Sequence, residues 1–395
     1  MKPSNIEPPN AVQRPAPQKK SHVLKNLLLD ILLTGIALVI FALFHHVLPR
    51  QQTSMGIVIE NPYKRPTQVQ TAEPEDSGRS SIALPDGARL IASAGTSDQS
   101  LSSRSGGRQK NQWNVPTGKG GSALTSGDAT EDEIEDDTPM WEKFPEKYTD
   151  TVVETDTSYT SPNISISVEE ITTPDGRITY YLADIYVKDI ESFQSALARN
   201  TYGTGFRDDI ADMAQSAGAL IAINGDYYGN TNEGVVIRKG VIYRANPTDC
   251  DVCVLYFDGT MRVMPGSDFD VQEAIEDGAW QAWTFGPALL DGQGEAISSF
   301  ATTGRIISAN PRTAIGYYEP GHYCMIVVDG RGESAGITLP ELSQLFEDLG
   351  CRAAYNLDGG NSSIMVFQGD IINQPSGGGR ESSDALLIRE VNGDV

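Results

Sequence analysis

The stretch Asn356-Leu357-Asp358-Gly359-Gly360-Asn361-Ser362-Ser363 lies between two apolar runs. Ala353-Ala354-Tyr355 reads as the end of a buried strand, and Ile364-Met365-Val366-Phe367 as the start of another. Paired glycines allow positive φ and a close approach of a ligand to the backbone. A hairpin needs only a two-residue turn. This longer loop carries a carboxylate, two amides and two hydroxyls, so it reads as the floor of a site. A polar turn capping two strands is the equal alternative from these residues alone.

Upstream, the same grammar repeats. Ile164–Val168 and Arg177–Val187 read as strands around the turn Pro174-Asp175-Gly176. Asp208–Ala217 has helical spacing of apolar residues and ends at Gly218. The buried run Ala219–Ile223 empties into Asn224-Gly225-Asp226-Tyr227-Tyr228. Hairpins are predicted over 234–244, turning at Lys239-Gly240, and over 252–264, turning at Asp258-Gly259. Phe285-Gly286-Pro287 is a further site-like turn. Arg312–Gly316 opens a strand, and Tyr323–Val328 ends in Asp329-Gly330-Arg331. Thr338 and Pro340 start a helix with Leu342, Leu345, Phe346 and Leu349 on its core face. The expected fold is α+β, a mixed and strand-rich single domain.

Composition narrows the partners. The 395-residue chain has 53 acidic and 30 basic residues and a formal net charge of -23, which excludes a nucleic-acid partner for want of a basic face. Four cysteines are too few for a disulfide scaffold, and one C-x-x-C (Cys250, Cys253) is weak evidence for zinc. Oxidation of Cys250 with Cys253, and of Cys324 with Cys351, is expected outside the cytoplasm. The apolar run Leu27–Leu48, behind Lys19, Lys20 and Lys25, predicts a membrane-spanning signal anchor with its N-terminus cytoplasmic. Beyond it, Ser, Thr, Gly, Gln and Pro dominate and no period holds, so a disordered, partly acidic linker follows. The expected division is tail 1–22, membrane helix 23–48, linker 49–156 and globular domain 157–395.

Five motifs then stand in order: Asn224–Tyr228, Gly286-Pro287, Pro311–Gly316, Asp329-Gly330-Arg331 and Asn356–Ser363. Their order and spacing, over residues 181–388, resemble the phosphodiester glycosidase family. Asn361 stands where that family usually has a third glycine, and Ser383-Asp384 where it tends to have a hydrophobe and Asn. The resemblance implies hydrolysis of the glycosidic bond of a sugar-1-phosphodiester, of the N-acetylglucosamine-1-phosphodiester kind. A bacterial, membrane-anchored enzyme acting outside the cell on envelope polysaccharide is the implied setting. The rival is a non-catalytic binding or assembly factor for anionic envelope glycans. Cleavage on the phosphorus side, usually metal-assisted, is the weaker third.

The residues suit glycosidic cleavage on their own account. His322 is the one histidine of the distal region, which removes His-based triads and His-rich metal sites. Carboxylates and arginines remain, the equipment for an oxocarbenium-like transition state beside an anion. Asp358 is the expected essential carboxylate, as base toward water or as nucleophile, with Asp226 or Asp329 as its partner. A separation of about 5–5.5 Å would imply retention and about 6.5–9.5 Å inversion. Arg312, Arg331 and Arg380 are expected to grip the phosphate bidentately, with Arg207 a weaker fourth. Asn224 and Asn356 are expected to hold sugar hydroxyls, Ser362 and Ser363 to line the phosphate with the Gly359 and Gly360 amides, and Gly225 and Gly286 to let the ligand approach. No cofactor is indicated, and no ligand spacing demands a divalent cation near the aspartates.

Overall fold

In the strands of this protein, successive side chains serve two different cores, and that alternation sets the architecture. The structure is a computed structural model that describes residues 20–42, 50–63 and 138–391. All described strand pairings are antiparallel, in sheets of seven, six, five and two strands. The seven-stranded sheet runs Ala353–Asn356, Arg312–Glu319, His322–Val328, Thr179–Val187, Ile164–Thr172, Ser158–Thr160, Val153–Thr155. Its inner face carries Ile315, Tyr317, Tyr323, Met325 and Val327 into the main core. The alternate residues Ala314, Cys324, Ile326 and Val328 point outward to the helix Leu339–Asp348, meeting Leu342, Leu345 and Phe346. That helix begins with a capping box between Thr338 and Glu341.

The five-stranded sheet follows the same rule. Its order is Asp370–Ile371, Met365–Phe367, Ile221–Asn224, Asp384–Ile388, Phe193–Leu197. Ile221, Ile223, Met365, Phe367, Leu386 and Ile388 face the main core. Ala222, Val366, Ala385 and Leu387 face Ile210, Met213 and Ala214 of the helix Ile210–Ala217. The six-stranded sheet contains both predicted hairpins, Gly234–Arg238 with Val241–Asn246 and Val252–Tyr256 with Met261–Met264. The mixed, strand-rich single domain expected from the sequence is therefore what the chain forms.

The expectation of a membrane-spanning helix is overturned. Among the described residues no helix is long and apolar enough to cross a membrane. The helix Lys20–Ala42 has Lys25 and Asp30 in its first half, so its longest charge-free part is the twelve residues 31–42. At ~1.5 Å per residue that is about 18 Å, short of the ~30 Å hydrocarbon layer. Residues 43–49, which the longer span required, lie outside the described residues. The signal anchor, the membrane as partner and the single-pass topology with an extracellular domain are accordingly withdrawn.

Parts of the stretch read as linker belong to the domain. Arg50–Gln51 pairs with Gly203–Thr204, Ile57–Val58 pairs with Val241 and Ile242, and Ile59 and Met140 join the main core. Residues 64–137 lie outside the described residues. The expected disulfides are also absent. Cys250 is exposed on a loop while Cys253 is buried in a strand, and the Cys324 and Cys351 sulfurs are free thiols 3.8 Å apart.

Gly316 is what lets those two thiols and the helix close on the sheet. A Cβ there would lie 2.6 Å from Cys324 Sγ, 2.7 Å from Phe346 and 2.8 Å from Cys351 Sγ. Overpacking of this kind costs about 1–3 kcal/mol, so Gly316→Ala should lower the urea midpoint with an unchanged slope. An unaltered midpoint would show that the helix yields freely.

Candidate active site

The antiparallel register brings the polar strand ends to common edges. Arg312 pairs with Val328 and Ala314 with Asn356, so Arg312, Asp329 and the loop at Asp358 share one edge of the seven-stranded sheet. Ile223 pairs with Met365 and Asn224 with Ala385, so Gly225 and Asp384 share an edge of the five-stranded sheet. Asn224 joins the two edges. Its Nδ2 donates to Asp358 O at 2.6 Å, and its Oδ1 accepts from Thr313 Oγ1 at 2.7 Å and Ile364 N at 3.3 Å.

A cleft of about 670 Å³ opens there. Asp358, Gly359, Gly360, Gly286, Arg312 and Arg331 all line it, so four of the five sequence motifs converge on one cavity, while Asn224–Tyr228 does not line it. Asp358 is nearly buried; Oδ2 accepts from Arg380 Nη2 at 2.6 Å and Oδ1 from Gly359 N at 3.0 Å. Burial raises its pKa above the usual carboxylate value, against the hydrogen bond from Ser362 and the charge of Arg380. Arg380 also donates from Nε to Ser362 Oγ at 2.9 Å and lies 4.9 Å from the Tyr227 ring centroid.

The cleft's guanidinium groups have no carboxylate partners within ion-pair reach among the described residues. Arg331, exposed and at φ +61°, donates to the neutral side chains of Asn361 (3.0 Å) and Asn310 (2.9 Å). Arg312 donates from Nε to Ile337 O and from Nη2 to the carbonyls of Ile306 and Ser308. Burial, then the like charge of Arg331, lowers Arg312 to about 10. The bidentate grip expected of Arg312 is thus largely committed to backbone carbonyls. The Gly359 and Gly360 amides are committed too, to Asp358 Oδ1 and to Pro311 O.

Other candidates fall behind the cleft. Asp226 accepts from Tyr228 N at 3.2 Å and Thr284 N at 2.9 Å and pairs with buried Arg238 at 3.1 Å. Asp329 accepts from Asn373 Nδ2 and Gln374 N, with burial raising its pKa. Neither carboxylate lines the cleft, so neither is a partner for Asp358 across it. Asn356 donates to Gly286 O at 2.7 Å, and Ser363 is buried; both build the floor. Gly225 has a steric reason to be glycine, since a Cβ would lie 2.1 Å from Asp384 Oδ1.

Sequence reasoning missed several neighbours. Asp249, Cys250, Asp251, Phe300, Arg305 and Ile306 line the cleft from loops without periodic pattern. It also missed Arg238, whose signal was a charge ending the apolar run Val235-Val236-Ile237. Arg238 Nη2 bridges Asp226 and Asp384, the latter at 2.7 Å. Asp384 is fully buried with Oδ1 unpartnered, and desolvation followed by the Asp226 charge pushes its pKa up to about 7.

With this geometry in hand, comparison with known proteins is direct. Residues 217–389 match the family described as phosphodiester glycosidase. It is 30% identical over 240 residues to the SPbeta prophage-derived uncharacterized protein YomE of Bacillus subtilis (strain 168), covering 55% of this chain and 37% of that protein. It is 37% identical over 82 residues to the N-acetylglucosamine-1-phosphodiester alpha-N-acetylglucosaminidase of Bos taurus, covering 21% of this chain and 15% of that enzyme. The solved catalytic domain of the zebrafish enzyme of that name, auto-inhibited by its pro-peptide, is 22% identical with a TM-score of 0.48, covering 58% of this chain and 85% of that one. The chain thus spans well under half the length of these curated relatives, 37% and 15%.

Two measurements follow. The folded protein holds a proton on Asp384 through a range, from the ordinary 3.8 up to about 7, where the unfolded chain has released it. Stability from this group is therefore complete below 3.8 and lost as pH rises through about 7. Asp384→Asn should consequently stabilise the protein progressively more, relative to the parent, between pH 4 and pH 8 in about that window. A melting-temperature difference that stays flat across it contradicts this. Separately, Cys250 is the one exposed thiol among the four, so maleimide should label it and occlude the cleft, with Cys250→Ser resistant.

Proposed function

We propose that the cleft hydrolyses the glycosidic bond of a sugar-1-phosphodiester of the N-acetylglucosamine-1-phosphodiester class, releasing free sugar and a phosphate monoester. The observation that carries this reading is the shared cavity. A nearly buried carboxylate, Asp358, opens into the same space as guanidinium groups that have no carboxylate within ion-pair reach among the described residues.

In this reading Asp358 faces the anomeric carbon. Water attacks that carbon, Asp358 takes the water proton, and the C1–O bond breaks with its electron pair going to the phosphate oxygen. A phosphate monoester has a second pKa near ~6, so it departs without the strong acid that an alkoxide needs. Arg331 neutralises the charge that develops, through N–H groups now held by neutral amides that an anion displaces at small cost. Burial favours the task of Asp358 as a base by raising its basicity. Arg380 orients the carboxylate and keeps it ionised.

The test is release of reducing sugar from a panel of N-acetylglucosamine-1-phosphodiesters. Asp358→Asn should lose at least about 10²-fold in kcat, the scale of a positioned acid or base. Equal release by the variant would remove Asp358 from the mechanism, and tight binding with no release by either protein would mark a binding module. The acid limb of kcat/KM should lie above the ordinary aspartate value of 3.8, since the base must be ionised. Arg380→Gln removes a charge that lowers that pKa and should move the limb further up.

A further inference from the structure

The cleft has a wall that the cleavage reaction does not require. Residues 298–309 form a strap with the short helix Gly304–Ile307 near its centre, and residues 300–303, 305 and 306 line the cleft. The strap is fastened by the groups that supply the cleft's charge. Arg312 holds the carbonyls of Ile306 and Ser308, and Asn310 Nδ2 holds those of Arg305 and Ser308 at 3.1 and 2.9 Å. Arg331 in turn donates to Asn310 Oδ1. With its carbonyls so engaged, the strap is a built surface with a defined position.

Its apolar members Phe300, Ala301 and Ile306 line the cleft beside Thr302, Thr303 and Arg305. Ile306 is 44% exposed, and among the described residues of 138–391 only Val152, Val153 and Ile371 are other large apolar side chains left so open. Ile306 is the one of the four that lines the cleft, where Phe300, Phe285 and Pro287 are half-buried beside it. One exposed isoleucine among half-buried apolar side chains in a concave cleft is the make-up of a ligand site. The same cleft presents Arg305 and Arg331 without an ion-pair partner among the described residues, so its complement is an anion joined to an apolar body. At about 670 Å³ it falls within the ~300–1,000 Å³ of sites that enclose a drug-sized ligand.

We propose that the alcohol half of the phosphodiester is an apolar chain, seated on Phe285, Pro287, Phe300 and Ile306 while its phosphate meets Arg331 and Arg305. This names the substrate class within the reading above, a lipid-like alcohol linked through phosphate to a sugar. It rests on that reading for the sugar half only.

The experiment separates the two. Binding of octyl phosphate and of methyl phosphate to the full chain is measured by calorimetry, which needs no turnover. Octyl phosphate should bind at least about tenfold tighter, the ratio expected from burying about two methylenes. Phe300→Ser combined with Ile306→Ser should bring that ratio to within about twofold, while Arg331→Gln should weaken both ligands by a similar factor. Equal affinities for the two phosphates in the parent protein, or a preference that survives the double substitution, overturns the apolar wall. A preserved preference without hydrolysis of octyl or methyl N-acetylglucosamine-1-phosphodiesters supports the wall and overturns the catalytic reading.

Discussion

The side-chain amide of Asn224 is the junction on which the position of Asp358 depends. It is fully buried at the end of Ile221–Asn224, and its hydrogen bonds reach Asp358, Thr313 and Ile364. Those partners belong to two sheets, so one amide sets how the sheets meet. Leaving such a group unpaired in the interior costs about 1–3 kcal/mol, which makes the arrangement specific rather than merely compatible. Arg238 plays the corresponding part for the six-stranded sheet. From Gly234–Arg238 it reaches Asp226 and Asp384 at the edge of the five-stranded sheet. The amide of Asp358 then rests on Gly225 O, and the amide of Gly225 on Asp384 O.

The two junctions differ in electrostatic character. Asn224 is neutral and its hydrogen bonds hold at any pH. The Arg238 junction sets two carboxylates against one guanidinium without water, so one carboxylate keeps a proton toward neutrality. Asp358 sits between these situations, buried enough to be raised yet paired with Arg380 at the cleft. A nearly buried carboxylate held by Arg380, in a cleft it shares with Arg312 and Arg331, is the feature that ties the fold to its chemistry. Of the three aspartates named from the sequence, Asp358 meets the cavity while Asp226 and Asp329 build its frame.

Much of the fold was legible because its signals are local. The hairpins at Lys239-Gly240 and Asp258-Gly259 form where turn chemistry calls for them, and the capping box at Thr338 starts its helix. The apolar run from Leu27 misled, because a charge near one end of such a run reads as interfacial, whereas Asp30 divides the helix Lys20–Ala42. The linker reading failed at residues 50–63 and 138–156, where short segments add to existing sheet edges and need no period of their own.

By itself the sequence determined the strand-rich character, the two covering helices and the handful of polar turns among which a site had to lie. Each follows from alternation, capping or glycine within a few residues of chain. Only the tertiary structure decided which polar groups were already satisfied. Arg312, Asp226, Asp329 and the Gly360 amide find partners across strands distant in sequence, or on backbone that has no sequence signature. The strap wall was illegible for the same reason, since Ile306 becomes an exposed apolar residue only once Arg312 fixes the loop that carries it.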